Sequence, residues 1–193
     1  MTEDRKNRAA LKRCQLGDVR AVGVLFEAFG DRVFRLSFNL LGCHAEAEDA
    51  TQEIFLRIFD KAGTFAGRSK VSTWVHRLTV NFCLNLLKAR KRRPLTLVEE
   101  VLEQRESSEQ EASSSLEERE TAALVHSLLA RMPVEARTIF VLREVDCCSY
   151  QEIGEILELP SGTVMSRLSR ARDKFRQLAA GSAENLGVKV NEG

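Results

Sequence analysis

The chain of 193 residues is poor in residues that interrupt helices or carry large rings, with three prolines, one tryptophan and one tyrosine. It also lacks any run of roughly 20 apolar residues, the length that a membrane-spanning helix needs. Its amino-terminal segment has no apolar stretch of the kind found in signal peptides. We therefore expect a cytoplasmic protein that does not insert into a membrane.

The five cysteines are an odd number, and no two of them have C-x-x-C spacing. A disulfide framework and a zinc site are therefore not expected, and nothing else in the pattern indicates a cofactor or a metal. One alternative stays open, because the adjacent Cys147 and Cys148 could respond to redox state or bind a metal.

The chain also lacks the constellation of an enzyme. Its histidines, His44, His76 and His126, are far apart in sequence, there is no Walker loop, and no paired acids have metal-ligand spacing. We therefore expect a protein without catalytic activity.

What is present favours helices. Apolar residues make up 44% of the chain, and the helix formers Ala, Leu, Glu, Arg and Lys dominate its composition. The net charge is only +1, yet the charges are segregated: five of the six residues 88–93 are cations, whereas residues 99–120 contain nine glutamates and two arginines. We predict an all-α protein with a helical domain at 1–93, a flexible acidic linker at 94–115, a second helical domain at 116–180 and a tail at 181–193.

The end of the second domain has the pattern of a helix-turn-helix. Ser149 and Glu152 have capping-box spacing, Pro160 ends the first helix, and Ser161 can cap the second. The second helix divides into an apolar stripe that would pack on Ile153 and Leu157, and an opposite face of short polar and basic side chains. That division suits a helix in the major groove of DNA, although a solvated basic face is the plainer alternative. The stripe consists of Val164, Leu168, Ala171, Phe175 and Leu178.

The first domain is predicted to contain three helices. The first spans Arg20 to Leu41 and ends at Gly42, the second runs from about Ala47 to Lys61, a loop follows at 62–70, and the third spans about Val71 to Arg92. Because the third helix is apolar nearly all round, we expect it to be central in its domain.

Two surfaces of this domain are candidates for binding. On the second helix, an exposed leucine ringed by polar and acidic side chains indicates a docking site for a basic protein helix, with a solvated acidic face as the alternative. Its members are Asp49, Gln52, Glu53, Leu56 and Asp60. On the third helix, an edge of two asparagines leads into the cationic cluster, a combination that can hold an unstacked base and its phosphates. Its members are Asn81, Asn85, Lys88, Arg90, Lys91 and Arg92. Trp74 could wedge against the edge of a duplex, and it could pack in the core; one ring can do both.

The order of these motifs resembles one family. Four sets of residues are similar to those of small bacterial sigma factors of the extracytoplasmic-function (ECF) group. They are the segment Ala47 to Phe55, the pair Thr64-Phe65, the run Ser72-Thr73-Trp74-Val75, and the carboxy-terminal Tyr150-Gln151-Glu152-Ile153 with Gly162-Thr163-Val164. Met165 and Gly154 depart from the pattern, since such proteins usually carry Arg or Lys at the first position and commonly carry alanine at the second.

The resemblance implies a role for each surface. The acidic face of the second helix would bind the clamp helices of the largest subunit of core RNA polymerase. The third helix and its preceding loop, including Thr64, Phe65, Gly67, Arg68 and Ser69, would melt and read the minus-ten element of promoter DNA. The second domain would contact the flap of the second-largest subunit and read the minus-thirty-five element through Ser161, Thr163, Met165, Ser166, Arg167, Ser169, Arg170 and Arg172. An anti-sigma factor is a further expected partner, and a stress or envelope signal the expected stimulus.

Two other classes were weighed against a sigma factor. A two-domain regulator with a helix-turn-helix would bind duplex DNA without polymerase, but it needs neither a melting surface nor an acidic docking face. A DNA-processing enzyme would need the catalytic residues that the sequence lacks.

Overall fold

A computed structural model describes residues 3–92 and 116–185, and within these ranges every regular element is helical. The elements of the first part are α1 (Glu3–Gln15), α2 (Arg20–Leu41), α3 (His44–Lys61), a 3-10 turn (Ala62–Thr64) and α4 (Val71–Arg92). Those of the second are α5 (Leu116–Ala130), α6 (Val134–Phe140), a π-helical turn (Val141–Val145), α7 (Tyr150–Leu157) and α8 (Ser161–Asn185). The chain divides into two compact units, the first centred on α1–α4 and the second on α5–α8. The prediction of an all-α fold is confirmed.

The first unit is built around α2. This helix packs against α1, α3 and α4, and its buried side chains recur every three or four residues along one stripe. Gly42 ends it as predicted, with a left-handed φ of 81° and an N–H that donates to the carbonyl of Phe38. The third predicted helix, α4, contacts all three other helices of this unit, as expected for a central helix, but it is not buried all round, because Leu84, Leu86 and Leu87 are only half-buried.

The sequence did not predict α1. Its apolar residues are sparse among charged ones, but Asn7, Ala10, Leu11 and Cys14 follow helical spacing and are buried. The helix packs on α2 and also contacts α3, the 3-10 turn and α4. It therefore belongs to the core of the unit that carries the loop at 62–70.

The second unit departs from the prediction at its element ends. The helix predicted from Ala136 to Glu144 begins two residues earlier, after Pro133, and its last turn is the π-helical segment. The last helix continues through Asn185, beyond the end predicted at Ala180. The core of the second unit includes Leu129, Ile139, Leu142 and Ile153, all at most 1% exposed.

The predicted acidic linker and most of the tail lie outside the described residues, so the domain boundaries stay predictions. None of the described helices combines the length and the apolar character that crossing a membrane would take.

Candidate functional site

The start of the helix-turn-helix has the predicted capping box. The Ser149 N–H donates to a Glu152 carboxylate oxygen at 2.9 Å, and the Glu152 N–H donates to the Ser149 hydroxyl oxygen at 3.2 Å. Two backbone donors that the helix start leaves unpaired are thereby satisfied. The prediction that Ser161 caps α8 was wrong, because the carbonyl of Pro160 accepts the first helical hydrogen bond, from Val164 at 3.1 Å, and Pro160 is therefore the capping residue.

The turn between α7 and α8 depends on two unusual positions. Glu158 has a φ of 55°, and the N–H of Leu159 donates to the carbonyl of Gly154 at 2.9 Å, which is the Schellman pattern of a helix end. A Cβ at Gly154 would lie 2.9 Å from the carbonyl oxygen of Leu159, closer than real Cβ contacts. Glycine at this position, where the family commonly has alanine, therefore allows the tight turn that this chain adopts.

The two faces of α8 are divided as the sequence predicted. Val164, Leu168 and Ala171 are at most 1% exposed, and the Phe175 ring stacks on Phe140 with centroids 4.6 Å apart. On α7, however, the fully buried residues are Ile153 and Ile156, whereas the predicted Leu157 is only half-buried. The apolar face of α7 is thus turned by one residue from the predicted one.

The opposite face of α8 is exposed. Met165 is 55% exposed, and Ser161, Ser166, Arg167, Ser169 and Arg170 are also exposed, while Thr163 is half-buried. The Ser166 hydroxyl donates to the carbonyl of Thr163 at 3.1 Å, and Arg170 Nε donates to the carbonyl of Ser166 at 3.3 Å. Six of the eight residues predicted for the minus-thirty-five surface are thus exposed, and a seventh, Thr163, is half-buried.

Arg172 differs from the other seven. Its guanidinium pairs with Glu144 at 2.7 Å, and this hydrogen bond raises the pKa of Arg172. Glu144 lies on the π-helical turn, a partner that α8 alone could not reveal. Arg172 therefore has to exchange this carboxylate for a phosphate if it contacts DNA.

The face of α3 has the predicted arrangement of an exposed apolar centre and polar surroundings. Leu56 is 63% exposed, and Asp49, Gln52 and Asp60 are exposed as well. Glu53 is half-buried and pairs with Arg57 at 3.1 Å. The Arg57 guanidinium lies 4.6 Å from the Phe82 ring centroid. Arg57 is a cation that partly neutralises this face and was not among the predicted residues; its i,i+4 spacing from Glu53 was the available signal.

On α4, the structure separates Trp74 from the predicted DNA edge. Asn81 and Asn85 are exposed, whereas Trp74 is 3% exposed and meets the Phe65 ring edge-on, with centroids 5.7 Å apart. Of its two predicted roles, the structure therefore shows core packing. A wedge role would require Phe65 and its loop to move.

The cationic cluster is not uniform either. Lys88, Lys91 and Arg92 are exposed, but Arg90 forms an ion pair with Glu46 in the first turn of α3. Burial lowers the pKa of Arg90. Arg93 lies outside the described residues, so the structure shows three cations open to solvent and one that is paired.

The loop at 62–70 is held by α1, which the sequence analysis did not anticipate. Arg8 donates to the carbonyl oxygens of Ser69 at 2.8 Å and Gly67 at 3.3 Å, and it pairs with Asp4 at 2.7 Å. Within residues 3–92 and 116–185, no cluster of three or more His, Cys, Asp or Glu side chains has the arrangement of a metal site.

Comparison with known proteins accounts for both units. Residues 25–93 match the family described as sigma-70 region 2, and residues 122–175 match sigma-70 region 4. The RNA polymerase sigma-H factor of Pseudomonas aeruginosa is 32% identical over 181 residues, which is 90% of this chain and 93% of that protein. The ECF sigma factor SigW of Bacillus subtilis is 31% identical over 180 residues, 86% of this chain and 93% of that protein.

Solved structures agree at the level of the fold. CnrH in complex with the cytosolic domain of CnrY superposes with a TM-score of 0.68 at 21% identity, over 91% of this chain and 98% of that one. RpoE of Bartonella quintana in complex with the anti-sigma factor NepR gives 0.63 at 20% identity, over 84% and 98%.

A helical unit matching region 2 and a helix-turn-helix unit matching region 4 define a transcription initiation factor of the sigma-70 family. Within that family the chain belongs to the ECF group of RNA polymerase sigma factors. It is an alternative sigma factor, which binds core RNA polymerase and promoter DNA and directs the initiation of transcription.

Proposed function

We propose that the exposed face of α3 is the surface that docks on the clamp helices of the largest polymerase subunit. The observation that carries this proposal is Leu56, which is 63% exposed at the centre of a face whose other exposed members, apart from Arg57, are polar or acidic. An apolar anchor contributes affinity when it is buried in a complex, and surrounding carboxylates raise the association rate with a basic partner.

The test is a pair of matched substitutions. Leu56→Arg combined with Asp49→Lys abolishes co-purification with core polymerase while circular dichroism stays helical. Leu16→Arg is the control, because Leu16 is 81% exposed in the same unit but lies outside the α3 face. Retained binding by the double variant, or equal loss in the control, excludes this face as the docking site.

For the minus-ten element, the proposed surface is the Asn81 and Asn85 edge of α4 together with Lys88, Lys91 and Arg92. Amide side chains can pair with the edges of unstacked bases while the neighbouring cations neutralise phosphates. Asn81→Ala is expected to weaken binding to a single-stranded minus-ten oligonucleotide. Binding unchanged by this substitution removes Asn81 from the surface.

For the minus-thirty-five element, the proposed surface is the exposed face of α8, with Arg170 as a base-contacting residue. Arg170→Ala should cost ~1 to 3 kcal/mol of binding and relax sequence preference at one position. Arg176→Ala is the matched control, since Arg176 is on the same helix but pairs with Asp173 at 2.8 Å and lies beyond the reading segment. Equal losses in both variants would indicate a general charge effect instead of base reading.

Each of the two units is proposed to contact both the promoter and the polymerase, so both targets are bound bivalently. The proposed polymerase contact of the second unit is the flap of the second-largest subunit. The affinities of the two modules then combine through effective concentration. We also propose that the protein acts in the cytoplasm, has no catalytic activity of its own and responds to a stress or envelope signal. An anti-sigma factor is the proposed partner for this response, by analogy with RpoE of Bartonella quintana, which was solved in complex with the anti-sigma factor NepR. Run-off transcription with purified core polymerase on fragmented genomic DNA tests the whole; no specific transcripts would refute it.

A further inference from the structure

The loop at 62–70 is fixed mainly from outside by α1. Arg8 reaches across 61 residues to the carbonyl of Ser69 at 2.8 Å and across 59 to that of Gly67 at 3.3 Å. Gln15 Nε2 donates to the carbonyl of Ala62 at 2.9 Å, at the other end of the loop. Three carbonyls of a nine-residue loop are thus bound by side chains of one helix.

The same helix also fixes the start of α4. Asp4 Oδ1 accepts the Val71 N–H at 3.2 Å, one of the donors that the helix start leaves unpaired, while Asp4 Oδ2 pairs with Arg8 Nε at 2.7 Å. The Arg8 guanidinium also lies 5.6 Å from the Phe65 ring centroid, and that ring covers Trp74. One ion pair therefore connects the loop backbone, its aromatic residue and the first turn of α4.

The chemistry of this arrangement suits positioning and not phosphate binding. Arg8 and Asp4 neutralise each other, and at least three N–H groups of Arg8 donate to the chain itself. A guanidinium can bridge several acceptors in a fixed plane, which an ammonium cannot do. A loop that is already ordered loses less conformational entropy when it receives a ligand.

We propose that Asp4 and Arg8 are positioning residues that hold the loop at 62–70 in the shape that accepts an unpaired promoter base. This inference rests on the proposed minus-ten surface of α4 and on the part in reading that element which the family resemblance implies for the preceding loop. Neither Asp4 nor Arg8 contacts the DNA; they act through the backbone of Gly67 and Ser69 and through the first turn of α4.

The experiment uses the full chain assembled with core polymerase. Arg8→Ala and Asp4→Asn should each weaken binding to a single-stranded minus-ten oligonucleotide carrying 2-aminopurine about tenfold, equivalent to about 1.4 kcal/mol, and slow open-complex formation on duplex promoter DNA. Affinity for core polymerase should not change. Arg5→Ala is the matched control, because Arg5 is an exposed arginine on the same helix.

Two further measurements separate positioning from other roles. Loss of a direct phosphate contact lowers the slope of log affinity against log salt by about 1, whereas loss of a positioning residue leaves that slope unchanged. Arg8→Lys keeps the charge but cannot bridge the same acceptors, so it should recover less than half of the lost affinity.

The outcomes distinguish this inference from the minus-ten proposal. If Asn81→Ala weakens oligonucleotide binding but neither Arg8→Ala nor Asp4→Asn does, α1 has no positioning role. If a changed salt slope accompanies Arg8→Ala, or Arg8→Lys restores full affinity, the charge of Arg8 and not its geometry matters, and the inference is also overturned. If all three variants bind normally, the minus-ten proposal fails as well. If Arg8→Ala lowers the thermal stability of the first unit, Asp4→Asn decides the test, because it disrupts the same ion pair without removing the Arg8 side chain.

Discussion

The ion pair between Glu46 and Arg90 leads to a prediction about DNA affinity. The pair joins the first turn of α3 to the cationic end of α4, with the two side chains 35% and 39% exposed. Partly exposed pairs contribute at most about 0.5 to 1 kcal/mol, because solvent screens them and ordering both side chains costs entropy. If Arg90 contacts a phosphate, it must first give up this contribution.

Glu46→Gln should therefore strengthen binding of the holoenzyme to a forked promoter fragment by about 2- to 5-fold, the factor that corresponds to about 0.5 to 1 kcal/mol. Fluorescence anisotropy at two salt concentrations measures it. The same substitution should lower the unfolding free energy of the first unit by no more than about 1 kcal/mol.

Glu48→Gln is the control for a general change of charge. It removes the same charge from the same helix, but Glu48 is 56% exposed and lies 3.5 Å from His44 and not beside Arg90. In an Arg90→Ala background, Glu46→Gln should no longer strengthen binding, since the competing pair is already absent. Equal effects of the two glutamine substitutions, or an effect of Glu46→Gln that survives Arg90→Ala, would refute the reasoning.

Three further predictions concern stability and reactivity. Glu158→Gly should raise the unfolding free energy of the helix-turn-helix by about 0.5 to 1 kcal/mol in urea denaturation, because relief of the left-handed conformation exceeds the entropy that glycine loses, whereas Glu158→Ala should bring no gain. Iodoacetamide at about pH 8 should label the exposed Cys147 but not Cys83, whose pKa is raised to about 11 by burial, and equal labelling by mass spectrometry would contradict this. The hydrogen bond from Arg8 lowers the pKa of Asp4. The stabilising contribution of the Asp4 carboxylate is therefore present above its unfolded-state pKa and is lost as the pH falls below about 4. Asp4→Asn should make the unfolding free energy depend less on pH between about pH 4 and pH 2.

The fold followed from the sequence wherever a helix buries a continuous apolar stripe. The ends of α2 and α4 were predicted to within a residue, because Gly42 marks the end of α2 and a long apolar period marks α4. The start of α7 was predicted equally well, because Ser149 marks its capping box. The first helix was missed because only a few of its residues are apolar, and its stability comes from packing on α2.

The faces of the candidate sites were also predictable, but the pairing of individual side chains was not. Periodicity places Leu56 and Met165 on outward faces, as observed. It cannot show that Arg90 meets Glu46 or that Arg172 meets Glu144, because these contacts join residues 44 and 28 positions apart. The burial of Trp74 was undecidable for the same reason, since its cover is Phe65 from the neighbouring loop.

These pairings change the electrostatic account of both DNA surfaces. A cation that is solvated in the unbound protein gains the whole of a phosphate contact, whereas Arg90 and Arg172 each exchange one carboxylate for another anion. The net gain from such an exchange is small, but counterion release still makes it dependent on salt. If the proposed surfaces bind DNA, sequence preference is therefore expected from groups that are not already paired to a carboxylate, namely the Asn81 edge on α4 and the Arg170 and Met165 face of α8. Substituting Arg90 or Arg172 should consequently lower affinity less than substituting Lys88 or Arg167, and the reverse order would show that the ion pairs do not persist in solution.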